Sequence, residues 1–220
     1  MIEVAKRPDN AEWLEDARTH LRGADPVLAA MIDKRPDFDP RAWLAELPRM
    51  DLFGALLFQV AGQQLSVAAT RRILARIEDL FGGQLPAPDQ LLAVDPAELR
   101  QAGLSWRKVG TLRDIAERMT DGRLDASAVR GMGDEEIIAL LTEIPGIGPW
   151  TAQGTLILAL DREDVVLPGD LALRKAVRTA YRLDHLPAPD EVLTIAEPWR
   201  PYRSLATTYL FAAAYETGTG

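Results

Sequence analysis

Two short stretches of the 220-residue chain hold residues whose types and spacing could do chemistry. In the first, Leu141-Thr142-Glu143-Ile144-Pro145-Gly146-Ile147-Gly148-Pro149-Trp150-Thr151-Ala152, two glycines flank one aliphatic residue between the end of one helix and the start of the next. Glycine reaches positive φ and carries no Cβ, so a ligand can come close to such a backbone. The amides of Gly146, Gly148 and the following first turn, Thr151 included, lie at the positive end of a helix dipole, an arrangement suited to a phosphate. The same turn also serves a plain helical hairpin that binds nothing. In the second stretch, Val166-Leu167-Pro168-Gly169-Asp170, a carboxylate opens a helix. An Asp there is most often an N-cap, and the residues alone leave open whether Asp170 caps or reacts.

The elements that must position these residues read as helix after helix. Trp13, Leu14, Ala17 and Leu21 recur at helical spacing over Asn10–Arg22, with Gly23 as a stop. Further helices are expected from Asp25-Pro26 to Ile32, from Asp39-Pro40 to Leu47, and over Leu52–Ala61. Ser66 is placed to cap a helix running to Leu80, with Ile73, Leu74 and Ile77 on one face. Asp89–Ala93, Pro96–Gln101 and Trp106–Met119 follow, then a helix capped by Asp134 and ending at Glu143. Pro149 fits a first helical position in a segment ending at Leu160, and Asp170–Tyr181 and Arg203–Tyr215 complete the set. Only Val165-Val166-Leu167 has strand character, and three residues make no sheet. The expected class is all-α with short connections.

Composition removes whole classes of chemistry. There is no cysteine, which excludes disulfides, thiolate metal sites and cysteine nucleophiles, and His20 and His185 alone make a histidine-rich metal site a poor fit. The 25 Lys and Arg against 33 Asp and Glu leave a formal charge of −8, which argues against a bulk nucleic-acid binder unless the cations are focused on one face. Met1–Pro8 carries no apolar core of signal-peptide length, and no apolar run approaches the roughly 20 residues needed to span a bilayer. The expected location is the cytoplasm, with no membrane partner.

The hairpin stretch, with the Pro168-Gly169-Asp170 loop placing Asp170 twenty residues past Trp150, resembles the helix–hairpin–helix Gly/Pro–Asp (HhH-GPD) superfamily of DNA glycosylases. Gly62-Gln63-Gln64-Leu65-Ser66-Val67-Ala68 and Trp199-Arg200-Pro201-Tyr202-Arg203-Ser204 make the 3-methyladenine DNA glycosylase II (AlkA-type) branch the nearest match, over about Ala17 to Tyr215. The resemblance implies a two-lobed fold with the active site in the cleft between lobes. Lobe one would hold about 1–52 and 165–220, and lobe two about 53–164 with the hairpin at about 134–160. It implies a nucleoid-associated base excision repair enzyme, expected to be a monomer, that flips an alkylated base from double-stranded DNA and hydrolyses its N-glycosidic bond. The alternatives are the same fold acting on uracil or another deaminated or mismatched base, a non-catalytic hairpin module that only binds DNA, and a helical protein–protein scaffold.

The resemblance also assigns roles. Asp170 becomes the catalytic carboxylate, which stabilises the oxocarbenium-like sugar as the base leaves. Trp150 stands where lyase members carry their Schiff-base lysine, so strand cleavage is not expected; its indole would stack on a cationic base. Phe211 and Tyr202, and more weakly Tyr209, are the other pocket aromatics. Gln64, with Leu65 and Gln63 beside it, falls where the family inserts a wedge into the gap left by the flipped nucleotide. Carbonyls of Thr142, Ile144 and Gly146 would hold a monovalent cation, Na+ or K+; no other cofactor is implied. Phosphate contacts would come from Gly146, Gly148 and Thr151, from Arg174 and Lys175 with Arg178, and from Arg71, Arg72, Arg107 and Lys108.

Overall fold

A computed structural model describes residues 11–38 and 50–216. Among these every regular element is helical, as the spacing of apolar residues requires, and the backbone divides into two compact units, Met1–Glu46 with Arg162–Gly220, and Leu47–Asp161. The helix expected at Asp39–Leu47 lies outside the described residues.

The second unit is built around α3 (Leu52–Gly62). Leu52 to Ala61 are buried except for half-buried Phe58, which is how a helix apolar on all sides must sit. Asp51 caps it by accepting from the Gly54 amide at 2.8 Å. Packed around α3 are α4 (Val67–Leu80), capped by Ser66, α7 (Trp106–Thr120), capped by Ser105, and α10 (Pro149–Leu160). The short helices α5 (Pro88–Ala93) and α6 (Pro96–Gln101) close over α7, burying Leu91 and Leu99. After α8 (Ala126–Gly131), α9 (Asp134–Thr142) packs on α10 and buries Ile137 and Leu141. The first unit packs α1 (Ala11–Ala24) on α2 (Pro26–Asp33), and α11 (Leu171–Ala180) on α13 (Arg203–Glu216). Between α11 and α13 come α12 (Pro189–Ala196) and a 3-10 turn, Glu197–Trp199.

Asp25 is the polar centre of the first unit. Its Oδ1 accepts from the Val27 and Leu28 amides at 2.8 and 3.1 Å, capping α2. Its Oδ2 accepts from the Tyr181 hydroxyl at 2.5 Å and the buried Trp199 indole at 3.0 Å. Burial, and then the bond to Asp25, push the Tyr181 phenol well above its ordinary pKa.

Three expectations need correcting. Gly23 does not stop α1, which runs to Ala24 because Leu21 lies in the core and the chain turns only at Asp25. Asp134 is the first residue of α9 and not its cap; Gly133 holds the cap position, and Glu136 reaches back to accept its amide at 2.8 Å. The helices α8 and α12 were not expected, because six or eight residues give apolar periodicity too little length to register. As expected, Val165, Val166 and Leu167 make no sheet; they are buried in a connection between helices.

Candidate functional site

In the second unit the hairpin lies between α9 and α10. Ile144 and Ile147 are buried, and the Ile147 amide donates to the Ile144 carbonyl at 3.0 Å. Gly146 sits at φ +96°, and a Cβ there would fall 2.2 Å from Thr111 Oγ1, so both its conformation and its neighbour demand glycine. Thr111 in turn donates to the Pro145 carbonyl at 2.9 Å. Gly148 does not use the freedom glycine offers. It sits at φ −102°, which any residue adopts, as the N-cap of α10, and a Cβ there would meet nothing within 4 Å. No side chain caps the N-terminus of α10, whose first residue is Pro149. The Thr151 hydroxyl points inward and is buried, so only the amide of that residue is placed for an anion.

The 63–65 loop is fastened to this hairpin. The Gln63 side-chain amide donates to the Gly146 carbonyl at 2.9 Å and to Thr151 Oγ1 at 3.1 Å. The Lys108 ammonium donates to the carbonyls of Ala61 and Gln63 at 2.9 and 3.0 Å, closing the C-terminal end of α3 as a cation should. Burial lowers the Lys108 pKa. Lys108 is thereby removed from the phosphate candidates, while Arg71, Arg72 and Arg107 are exposed. Gln64, at φ +60°, and Leu65 are exposed at the tip of the loop. Trp150, in the first turn of α10, is 36% exposed.

In the first unit Asp170 caps α11: Oδ1 accepts from the Leu173 amide at 2.8 Å. The carboxylate is half-buried, and its amide donates to the Leu167 carbonyl at 3.0 Å, closing the Pro168-Gly169 turn. The loop that delivers Asp170 is latched to the start of α13. The Ser204 hydroxyl donates to the Arg162 carbonyl at 2.8 Å and accepts from the Val165 amide at 3.0 Å. Its own amide donates to the Glu163 carbonyl at 2.9 Å. Arg203 grips Asp164 through both its carboxylate, at 2.6 Å, and its carbonyl, at 2.5 Å, and Arg200 holds the other carboxylate oxygen at 2.6 Å.

The remaining candidates divide. Tyr202 is half-buried, edge-on to both Trp13 and His20, with centroids at 5.8 and 5.4 Å. Phe211 is half-buried on α13. Tyr209 is fully buried and accepts from Arg18 Nε at 3.0 Å, which makes it core and corrects its place among the pocket aromatics. Arg174 Nε donates to the Pro187 carbonyl at 2.7 Å, tying down the segment before α12, whereas Lys175 and Arg178 are exposed. Among the described residues no cluster of His, Cys, Asp and Glu could hold a metal ion. No described helix is long and apolar enough to cross a membrane.

Comparison with known proteins gives a consistent result. Residues 59–201 match the model of the HhH-GPD superfamily base excision DNA repair proteins. The chain is 30% identical over 212 residues to DNA-3-methyladenine glycosylase 1 of Schizosaccharomyces pombe, covering 96% of this chain and 92% of that one. It is 28% identical over 172 residues to DNA-3-methyladenine glycosylase 2 of Escherichia coli, covering 74% of this chain and 57% of that one. Among solved structures, the S. pombe 3-methyladenine DNA glycosylase in complex with abasic DNA superposes with a TM-score of 0.82 at 31% identity, covering 91% of this chain and 97% of that one.

Proposed function

The chain belongs to the HhH-GPD superfamily of base excision DNA repair proteins, and from that premise we propose that it is a monofunctional glycosylase acting on alkylated bases, of the 3-methyladenine type, in double-stranded DNA. The reading is carried by one observation. The hairpin and the loop ending in Asp170 both fall within the matched span, in a chain similar over nearly its whole length to a DNA-3-methyladenine glycosylase.

The chemistry asks for one negative charge beside the sugar. As the N-glycosidic bond breaks, its electron pair leaves with the cationic base, which departs neutral. The deoxyribose turns oxocarbenium-like, and the Asp170 carboxylate stabilises that charge. Water then joins C1′ and releases its proton, leaving an abasic site. Trp150 offers no amine for a Schiff base, so the strand stays intact. Its exposed indole provides the stacking surface for a flipped cationic base. Phe211 and Tyr202, both half-buried, are assigned to contact with the base as well. Gln64 and Leu65 form the wedge, since the Gln63 amide is spent on the hairpin. Gly146, Gly148 and the Thr151 amide receive a DNA phosphate, with Lys175, Arg178 and the exposed arginines of the second unit adding charge. The hairpin carbonyls are a donor set that fits a monovalent cation. Ile144 and Gly146 each accept one hydrogen bond, which leaves a lone pair on each oxygen. Na+ or K+ held there with Thr142 would supply positive charge to a phosphate. The enzyme is expected to act as a monomer in the cytoplasm, at the nucleoid.

The test is Asp170→Asn. Asparagine caps a helix as well as aspartate does, so the fold is kept while the charge is removed. Base release from methylated DNA should fall on the order of 10²–10³-fold, with thermal melting unchanged and no strand breaks from the parent enzyme. Near-normal release by the variant would end the assignment.

A further inference from the structure

The turn that carries Gln64 is held in a shape its sequence does not favour. Residues 62–65 have the bond and angles of a type II turn: the Leu65 amide donates to the Gly62 carbonyl at 3.0 Å, Gln63 sits at φ −50° and ψ 125°, and Gln64 sits at φ +60°. The third position of such a turn needs positive φ and is ordinarily glycine or asparagine. Here it is glutamine, exposed at the tip. A type I turn would suit glutamine better, because there the same position takes φ of about −90°. The two turns differ by a flip of the peptide between their middle residues, so the direction of the Gln63 carbonyl decides which one forms. That carbonyl is held. The Lys108 ammonium donates to it at 3.0 Å and to the Ala61 carbonyl at 2.9 Å. A cation at a helix end needs only the last carbonyls of the helix, but this one reaches past Gly62 to the middle of the turn. Lys108 is itself fixed in the first turn of α7, where Ser105 accepts from its amide at 3.3 Å. Three residues further along the same helix, Thr111 donates to the Pro145 carbonyl of the hairpin.

We infer that Lys108 is a positioning residue for the wedge: by holding the Gln63 carbonyl it selects the type II turn, and so sets the direction in which Gln64 leaves the loop. The inference rests on the base-excision reading above, which assigns Gln64 and Leu65 to the gap left by a flipped nucleotide. Without the ammonium the peptide between Gln63 and Gln64 can flip. Gln64 then relaxes to negative φ, and its Cα–Cβ bond leaves its present direction. Lys108 acts through the turn, and its charge is spent on two carbonyls rather than on a phosphate.

The experiment measures affinity for two duplexes of one sequence, one intact and one with a stable abasic-site analogue, each over a range of salt. Lys108→Met keeps much of the stem and removes the donors. It should lower the preference for the abasic duplex by about tenfold, the scale of one left-handed residue no longer held in place. Affinity for intact DNA and its salt slope should stay those of the parent, while base release from methylated duplex at saturating enzyme slows. Lys108→Gln keeps a donor at shorter reach and should move the preference in the same direction by less. It also provides the answer if the methionine variant does not fold. A phosphate contact would instead weaken binding to both duplexes and reduce the salt slope by about 1, and that result overturns the inference. So does a preference unchanged in a folded variant, which is what a merely structural lysine gives. A wild-type protein that neither releases methylated bases nor prefers the abasic duplex overturns the base-excision reading, and this inference with it.

Discussion

The side-chain amide of Gln63 donates to the main-chain carbonyl of Gly146, 83 residues away, at 2.9 Å. The same amide reaches Thr151 Oγ1, and Lys108 holds the Gln63 carbonyl from the other side. The loop assigned to the wedge and the hairpin assigned to the phosphate are therefore fastened together. If the loop wedges between bases while the hairpin holds a phosphate, this contact sets the spacing between the two.

Gln63→Leu removes both bonds and leaves the Gly146 carbonyl and the buried Thr151 hydroxyl without that partner. The expected cost in unfolding free energy is about 1–3 kcal/mol, measured by urea denaturation. Affinity for DNA containing an abasic site should weaken as well. A variant with wild-type affinity would separate the loop from the grip and refute the coupling.

Ser204 and Arg203 hold the loop that ends in Asp170 through bonds to residues 162–165. Ser204→Ala removes a hydroxyl that joins Arg162 and Val165, and Arg203→Met removes the grip on Asp164. Each should cost about 1–3 kcal/mol of stability. Below the melting transition each should slow base release at saturating enzyme, because a carboxylate displaced by even an ångström loses much of its effect. Single-turnover rates measured beside DNA affinity would decide this, with affinity expected to change little. Full-speed release by both variants would show that the loop needs no latch.

Asp25 matches four donors with one carboxylate. Asp25→Ala strips the cap from α2 and leaves the Tyr181 hydroxyl and the Trp199 indole unmatched, so the loss should reach about 3 kcal/mol or more. Tyr181 adds a pH signature. The folded state holds the phenol proton more tightly than the unfolded chain does. That contribution is whole below the ordinary phenol value of about 10 and is lost as pH rises beyond it. Tyr181→Phe should flatten this alkaline limb in melting curves taken from pH 9 to 11.

What could be read from the sequence follows the range of the physics involved. Ser66, Pro149 and Asp170 were legible because a cap or a first-turn proline acts within three or four residues. The tail Trp199–Ser204 stood out as a motif, but its partners lie some 40 residues away, and no local pattern says that Ser204 meets Val165. Lys108 looked like any cation on a helix and proved to be a cap for the end of α3. Gln59, a lone amide inside an otherwise apolar helix, packs over Gly154, 95 residues on, whose missing side chain only the packed helices explain.

The two hairpin glycines should part company when each is given a methyl group. At Gly146 an alanine must adopt φ +96° and crowd Thr111 Oγ1, so Gly146→Ala should lose about 2 kcal/mol or more of stability. Adding Thr111→Ala should return only the part due to the collision. At Gly148 the backbone is extended and nothing lies within 4 Å of the added carbon, so Gly148→Ala should melt within about 0.5 kcal/mol of the parent. Yet if a phosphate approaches the start of α10, that methyl stands in its path, and DNA affinity should fall about tenfold, some 1.4 kcal/mol. Melting and binding measured on the same two variants separate the uses of the turn, since a hairpin that only connects helices would let Gly148→Ala bind DNA as the parent does.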